Sequence, residues 1–193
     1  MNESEQKIEK NDEDSLIGSV RENLARERGS EYKPSDFESW NQIIQYLMLS
    51  REITLSTAES CTGGYIASQI TDLAGSSGYF LGSVVSYANT VKQNVLQVSA
   101  DTLSSHGAVS ARCAEEMLDG IIGLIKSDVG IAVTGIAGPG GGSEEKPVGT
   151  VFVSVGHKGR KNTVRLFFDG TRQEVVKYTY HQSMYLLYRF LST

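Results

Sequence analysis

Three short segments hold the residues best suited to chemistry. The first, Ala58-Glu59-Ser60-Cys61-Thr62-Gly63-Gly64, sets a hydroxyl and a thiol before a glycine pair. The second, Tyr87-Ala88-Asn89-Thr90-Val91-Lys92, sets a phenol ahead of an amine. The third runs from Thr134 to Gly142 and is dominated by glycine. A serine is inert as a nucleophile without a base, and none of the three histidines sits in a convincing triad setting. A lysine serves instead when burial disfavours its ammonium form. Ser60 with Lys92, and Tyr87 to relay or orient a proton, is therefore a coherent nucleophile and base. If Gly63 and Gly64 open a helix, the N–H groups around Thr62-Gly63-Gly64 point back at the loop and hold an anion or a developing oxyanion.

In the third segment, Gly135, Gly138 and Gly140 let the backbone approach a ligand closely, and successive N–H groups form an anion nest. It is not a Walker A loop, because no Gly-Lys-Ser/Thr follows. Pro139 and the run after it do not open a helix, so it is not a dinucleotide fingerprint either. Arg172, at the start of the last helical pattern, can grip a phosphate or carboxylate bidentately. Cys61 is the rival nucleophile, but neighbours in an extended segment face opposite ways, which predicts a buried Cys61 beside a site-facing Ser60. His106 is expected to cap or cross-link a turn. Taken singly, each segment also fits a structural role: a capping hydroxyl, a solvated helix lysine, a surface ion pair.

The elements that must position these residues follow from hydrophobic periodicity. Residues 1–33 read as a charged tail, with a possible short helix over Ser15–Arg28. Residues 34–193 read as the folded domain. Ser35 is expected to cap a helix whose inward residues include Phe37, Trp40, Ile43, Ile44, Leu47 and Met48. Strands are expected at Ile53–Thr57, Phe80–Tyr87 and Val129–Val133, and as a hairpin of Val148–Val155 with Asn162–Phe168. Helices are expected at Gly63–Leu73, from Asn89 or Thr90 to Leu96, from the Ser110 cap to Lys126, and at Arg172–Phe190. A short turn fills Asp101–Gly107. Alternating helices and strands followed by a hairpin predict an α/β fold, a three-layer α/β/α sandwich on a mixed, mostly parallel sheet with one antiparallel member.

Bulk properties narrow the partners. The net charge is -5 with no cluster of Lys and Arg, which argues against nucleic acid. The two cysteines lack metal-ligand spacing and read as reduced, implying a cytoplasmic setting and no metal site. No apolar run reaches membrane-spanning length, and the polar, acidic start is not expected to act as a secretory signal.

Taken together, the segments resemble the CinA C-terminal domain family, which includes stand-alone nicotinamide-nucleotide amidases. The marks are the Ala58–Gly64, Tyr87–Lys92 and Thr134–Gly142 segments with His106-Gly107-Ala108-Val109-Ser110 and Lys146-Pro147-Val148-Gly149-Thr150-Val151, in the family's order, over roughly Trp40–Leu191. The resemblance implies hydrolysis of the carboxamide of a pyridine mononucleotide, nicotinamide mononucleotide, to nicotinate mononucleotide and ammonia, without a cofactor. It implies Ser60 as nucleophile, Lys92 as base and Tyr87 as assistant. Thr134 and the glycine loop would line the nucleotide site, Arg172 would complete it, and the chain would form a homo-oligomer. Two positions depart from the family's pattern: Ala88 stands where a serine is usual, and Thr171 where an aspartate is usual. The competing expectations are a nucleotide- or phosphate-binding regulatory module without turnover, and an amidase for a different small amide.

Overall fold

The wholly apolar Val129–Val133 run sits inside the sheet, with a strand on either side of it. The computed structural model describes Gln6–Lys7 and residues 39–192. Its strands are β1 (Gln6–Lys7), β2 (Leu55–Glu59), β3 (Phe80–Val85), β4 (Val129–Gly135), β5 (Thr150–His157) and β6 (Arg160–Phe167). They lie in the order β1-β6-β5-β4-β2-β3. β5 alone runs against the others: it is antiparallel to β4 and β6, while β2 is parallel to β3 and β4, and β1 to β6. Every residue of β2, and every residue of β4 except Gly135, is buried, as expected for parallel strands covered on both faces.

The helices are α1 (Trp40–Ser50), α2 (Tyr65–Thr71), α3 (Asn89–Asn94), α4 (Ala100–Ser105), α5 (Ala111–Ile125) and α6 (Arg172–Leu191). Strand alternation sorts them into layers. Ile131 and Val133 face a core shared with Trp40, Ile44, Ile66, Ile70 and Met184, so α1, α2 and α6 cover one side. Ala58 and Ala132 face a second core with Leu96, Cys113, Met117, Leu118 and Ile121, so α5 covers the other. This is the expected α/β/α sandwich, with the one antiparallel strand in the expected hairpin. Each fully buried Ile or Leu side chain in these cores is worth about 1.5–3 kcal/mol relative to exposure.

Caps set the helix starts. α1 begins at a capping box of Ser39 and Gln42. α5 begins at Ser110, whose hydroxyl accepts from Cys113 N. The predicted Ser35 cap, Phe37 and the helix over Ser15–Arg28 lie outside the described residues, as does the rest of the predicted tail apart from Gln6–Lys7. Two boundaries differ in ways that matter for the site. β2 starts at Leu55 and runs to Glu59, which makes Ser60 the first residue beyond the strand. α2 starts at Tyr65 because Gly63 and Gly64 are left-handed, with φ of 62° and 98°, and precede the helix. Among the described residues no helix is long and apolar enough to cross a membrane.

Candidate active site

Adjacent parallel strands carry the two principal groups to one end of the sheet. β2 leads into Ser60, and β3 into Ser86 and Tyr87; Ser86 N donates to Glu59 O at 2.7 Å, holding the two exits side by side. The chain then turns into α3, whose Lys92 points back towards the sheet. Lys92 Nζ donates to Ser60 Oγ at 2.9 Å and to the Ser86 carbonyl oxygen at 2.6 Å. Ser60 is 8% exposed and Lys92 1% exposed. Burial pushes the Lys92 ammonium below its ordinary value of 10.5, since taking a charge out of water disfavours it.

These groups open into a cleft of about 270 Å³. One wall is the loop after β4, from Gly135 to Gly141; another is Ala108 and Val109; Tyr87, Asn89 and Arg172 complete it. Thr134 also lines the cleft, its hydroxyl fixed by donation to Ala108 O at 2.7 Å. Gly138 sits at φ 87°, where a Cβ would meet Val148 Cγ1 at 2.5 Å, so the loop requires glycine at that point. Arg172 Nη1 donates to Gly138 O and Nη2 to the Tyr87 hydroxyl, both at 3.0 Å, which joins the glycine loop to the β3 exit. Arg172 is in the lining and no carboxylate is. In a chain of net charge -5, that arrangement favours an anionic ligand over a cationic one. A larger groove of about 710 Å³ lies between Asn94–Gln97 and α5, but it contains no nucleophile with a base.

Two expectations are corrected. The N–H groups around Thr62-Gly63-Gly64 do not form an anion site. Gly64 N donates to Glu59 Oε2 at 3.0 Å, Gly63 N donates to Ser60 O at 3.1 Å, and Thr62, Gly63 and Gly64 are not among the cleft lining. The helix entrance is already filled by the protein's own carboxylate. Tyr87 reaches the cleft but is 62% exposed, and its hydroxyl is bonded to Arg172; no described hydrogen bond links it to Ser60 or Lys92. It sits at the cleft mouth rather than between nucleophile and base.

The chain matches the model of the CinA C-terminal domain over residues 37–191. The chain belongs to the CinA C-terminal domain family. A CinA-like protein of Leptospira borgpetersenii is 39% identical over 178 residues, covering 92% of this chain and 42% of that protein. One of Pseudothermotoga lettingae is 44% identical over 146 residues, covering 76% and 36%. The chain thus spans about two fifths of the length of the curated relatives it matches. The crystal structure of competence damage-inducible protein A from Klebsiella pneumoniae superposes with a TM-score of 0.77 at 37% identity, covering 79% of this chain and 95% of that one.

Both departures from the CinA pattern have a local explanation. Thr171 caps α6 in a capping box, its hydroxyl accepting from Glu174 N while Glu174 accepts from Thr171 N. Threonine and aspartate both serve as N-caps, so Arg172 keeps its place in the first turn. Ala88 is the N-cap residue of α3 and supplies no side-chain bond, a loss worth about 1 kcal/mol that leaves Lys92 on its helix.

Ser86, Asn89, Ala108 and Val109 are site residues that sequence reasoning did not single out. Ser86 acts through its backbone, which no residue type announces. Cys61 lines the cleft and is 6% exposed, but burial pushes its thiol up to about 12 and the nearby Glu59 adds to the shift. Only the thiolate is a nucleophile. Iodoacetamide at about pH 8 is therefore expected to leave Cys61 unmodified by mass spectrometry.

Proposed function

We propose that this CinA domain is an amidohydrolase that deamidates nicotinamide mononucleotide through an acyl-enzyme on Ser60. The observation that carries this reading is the buried 2.9 Å contact between Lys92 Nζ and Ser60 Oγ at the floor of a cleft that has Arg172 and no carboxylate in its lining. Neutral Lys92 has two hydrogens and one lone pair. The Ser86 carbonyl engages one hydrogen; once the amine is neutral, its lone pair can accept the Ser60 hydroxyl proton across the 2.9 Å contact that the ammonium donates through. Ser60 Oγ bonds to the carboxamide carbon, the C–N bond breaks, and the Lys92 ammonium returns the proton to the departing ammonia. Water then attacks the ester carbon, giving a proton to Lys92; the C–Oγ bond breaks, the Lys92 ammonium returns that proton to Ser60 Oγ, and the acid leaves as the carboxylate with its own proton lost to solvent. The N–H of Cys61, which lines the cleft next to the nucleophile, is engaged in no described hydrogen bond to a carbonyl or carboxylate, which suits it to the oxyanion.

Arg172 and the glycine loop suit the phosphate of a mononucleotide. The test is ammonia release across a panel of pyridine nucleotides and small amides. Ser60→Ala is expected to fall by about 10³-fold or more, with ligand-dependent thermal stabilisation preserved. Full activity in Ser60→Ala sinks the mechanism. Thermal stabilisation of wild type by the mononucleotide with no ammonia from any amide selects a binding module instead.

A further inference from the structure

We propose that Glu59 is the positioning residue of this centre, a role that rests on the amidase reading above. Glu59 is fully buried and precedes the nucleophile, yet it is not part of the cleft lining, so it touches no substrate. Its side chain gathers the loop that follows Ser60. Oε2 accepts from Thr62 Oγ1 at 2.7 Å, Gly64 N at 3.0 Å and Ile66 N at 3.1 Å; Oε1 accepts from Ala67 N at 2.8 Å. Ile66 and Ala67 lie in the first turn of α2, where backbone N–H groups have no intrahelical partner. The N-cap, Gly64, has no side chain to serve them, so a carboxylate from the end of β2 serves them instead. The contact is charge-assisted and lies at the positive end of a helix.

The main chain of the same residue reaches the base. Glu59 O accepts from Ser86 N at 2.7 Å, and Ser86 O in turn accepts from Lys92 Nζ at 2.6 Å. One residue thus fixes the backbone on both sides of the Ser60–Lys92 contact: its carboxylate holds the chain after Ser60, and its carbonyl holds the strand that orients Lys92. A carboxylate accepts all four of these donors from the following loop and helix, and Thr57 Oγ1 at 3.5 Å besides. A carboxamide has a single acceptor oxygen and turns N–H groups towards donors that then have no partner.

The experiment compares Glu59→Gln and Thr62→Val with wild type. Thr62→Val removes one of the four donors and leaves the carboxylate in place. Two rates are measured per folded molecule: steady-state ammonia release, and covalent labelling of Ser60 by a small phosphonofluoridate. Glu59→Gln is expected to lose about 100-fold in kcat with KM changed by less than about threefold, and to slow the labelling rate constant by a similar factor, because displacing a reacting group by about 1 Å costs that much. Thr62→Val is expected to lose about tenfold in both. A merely structural role lowers the amount of labelled protein but not the rate constant of what remains folded. If Glu59→Gln does not fold, Thr62→Val decides. Rate constants within about threefold of wild type in the folded variants overturn the proposal. If wild type labels rapidly at Ser60 but releases no ammonia from any amide, the amidase reading fails, and the labelling rates alone judge Glu59.

Discussion

Lys92→Met is expected to lower kcat/KM for ammonia release by about 10³-fold, within the range of 10²–10⁴ that a positioned acid or base contributes. Methionine fills much the same space with no lone pair able to take the Ser60 proton. Lys92→Arg is expected to fail as badly, although it keeps the charge, because a guanidinium stays protonated. In wild type, the acid limb of the pH–kcat/KM profile should rise as Lys92 deprotonates, with its midpoint below 10.5 because burial holds the ammonium under its ordinary value. Activity of Lys92→Met within tenfold of wild type, or a profile without that limb, rules out Lys92 as the base.

The same shift predicts a stability signature. The folded chain binds the Lys92 proton more weakly than the unfolded chain does. Between the folded value and 10.5, the unfolded state therefore carries more protons, and stability rises with pH across that window. Relative to Lys92→Met, wild type should gain stability as pH is raised and level off above about 10.5. Urea unfolding of both proteins from neutral to alkaline pH measures the difference.

Gly120→Ala is the second large effect, and it links the helical layer to the base. Alanine normally stabilises a helix interior by about 1 kcal/mol over glycine. Here a Cβ at Gly120 in α5 would lie 1.9 Å from Leu96 O, 2.7 Å from Leu96 C and 2.9 Å from its Cα. The obstacle is backbone and cannot rotate away. Leu96 is itself fully buried just beyond α3, and Val98 N donates to Lys92 O, so moving this segment moves the residue that holds the amine. Overpacking of this kind costs about 1–3 kcal/mol or more, or about 2–12 °C in melting temperature for a domain of this size. We expect that loss together with a fall in kcat. Gly123→Ala, one turn further along α5, meets nothing within 4 Å and should be neutral or stabilising. A Gly120→Ala protein that melts at or above wild type would show that α3 gives way without cost.

Much of the scaffold was legible because burial writes itself into residue type. The wholly apolar Val129–Val133 run marked a central parallel strand, and the Gly156–Arg160 turn marked the hairpin. Ser110 was readable as a cap because a hydroxyl directly before an amphipathic run has few other uses. The site was legible in its residue types but not in their connections. Glu59 passed as a spacer because its partners are backbone N–H groups of residues that follow it, and such partners have no signature of their own. Its one sequence signal is a charged residue ending an apolar strand, followed by small residues at a helix entrance. The left-handed glycines were read as opening the helix, whereas they turn the chain so that Glu59 can reach it. Tyr87 was expected to relay or orient a proton, but β3 lies at the edge of the sheet, the Tyr87 side chain is open to water and its hydroxyl accepts from Arg172.

The reversed direction of β5 has an engineering consequence. Because β4 and β5 are antiparallel neighbours, the segment between them leaves the sheet and re-enters it at the same end, with Gly135 paired to Val151. Both anchor points are set by strand spacing and not by the intervening residues. Lengthening such a segment changes its closure entropy only logarithmically. Residues are therefore best inserted within Ser143–Glu145, which leaves the frame that carries Ser60 and Lys92 untouched; Gly142 has to stay, because a Cβ there would lie 2.7 Å from Val148 N.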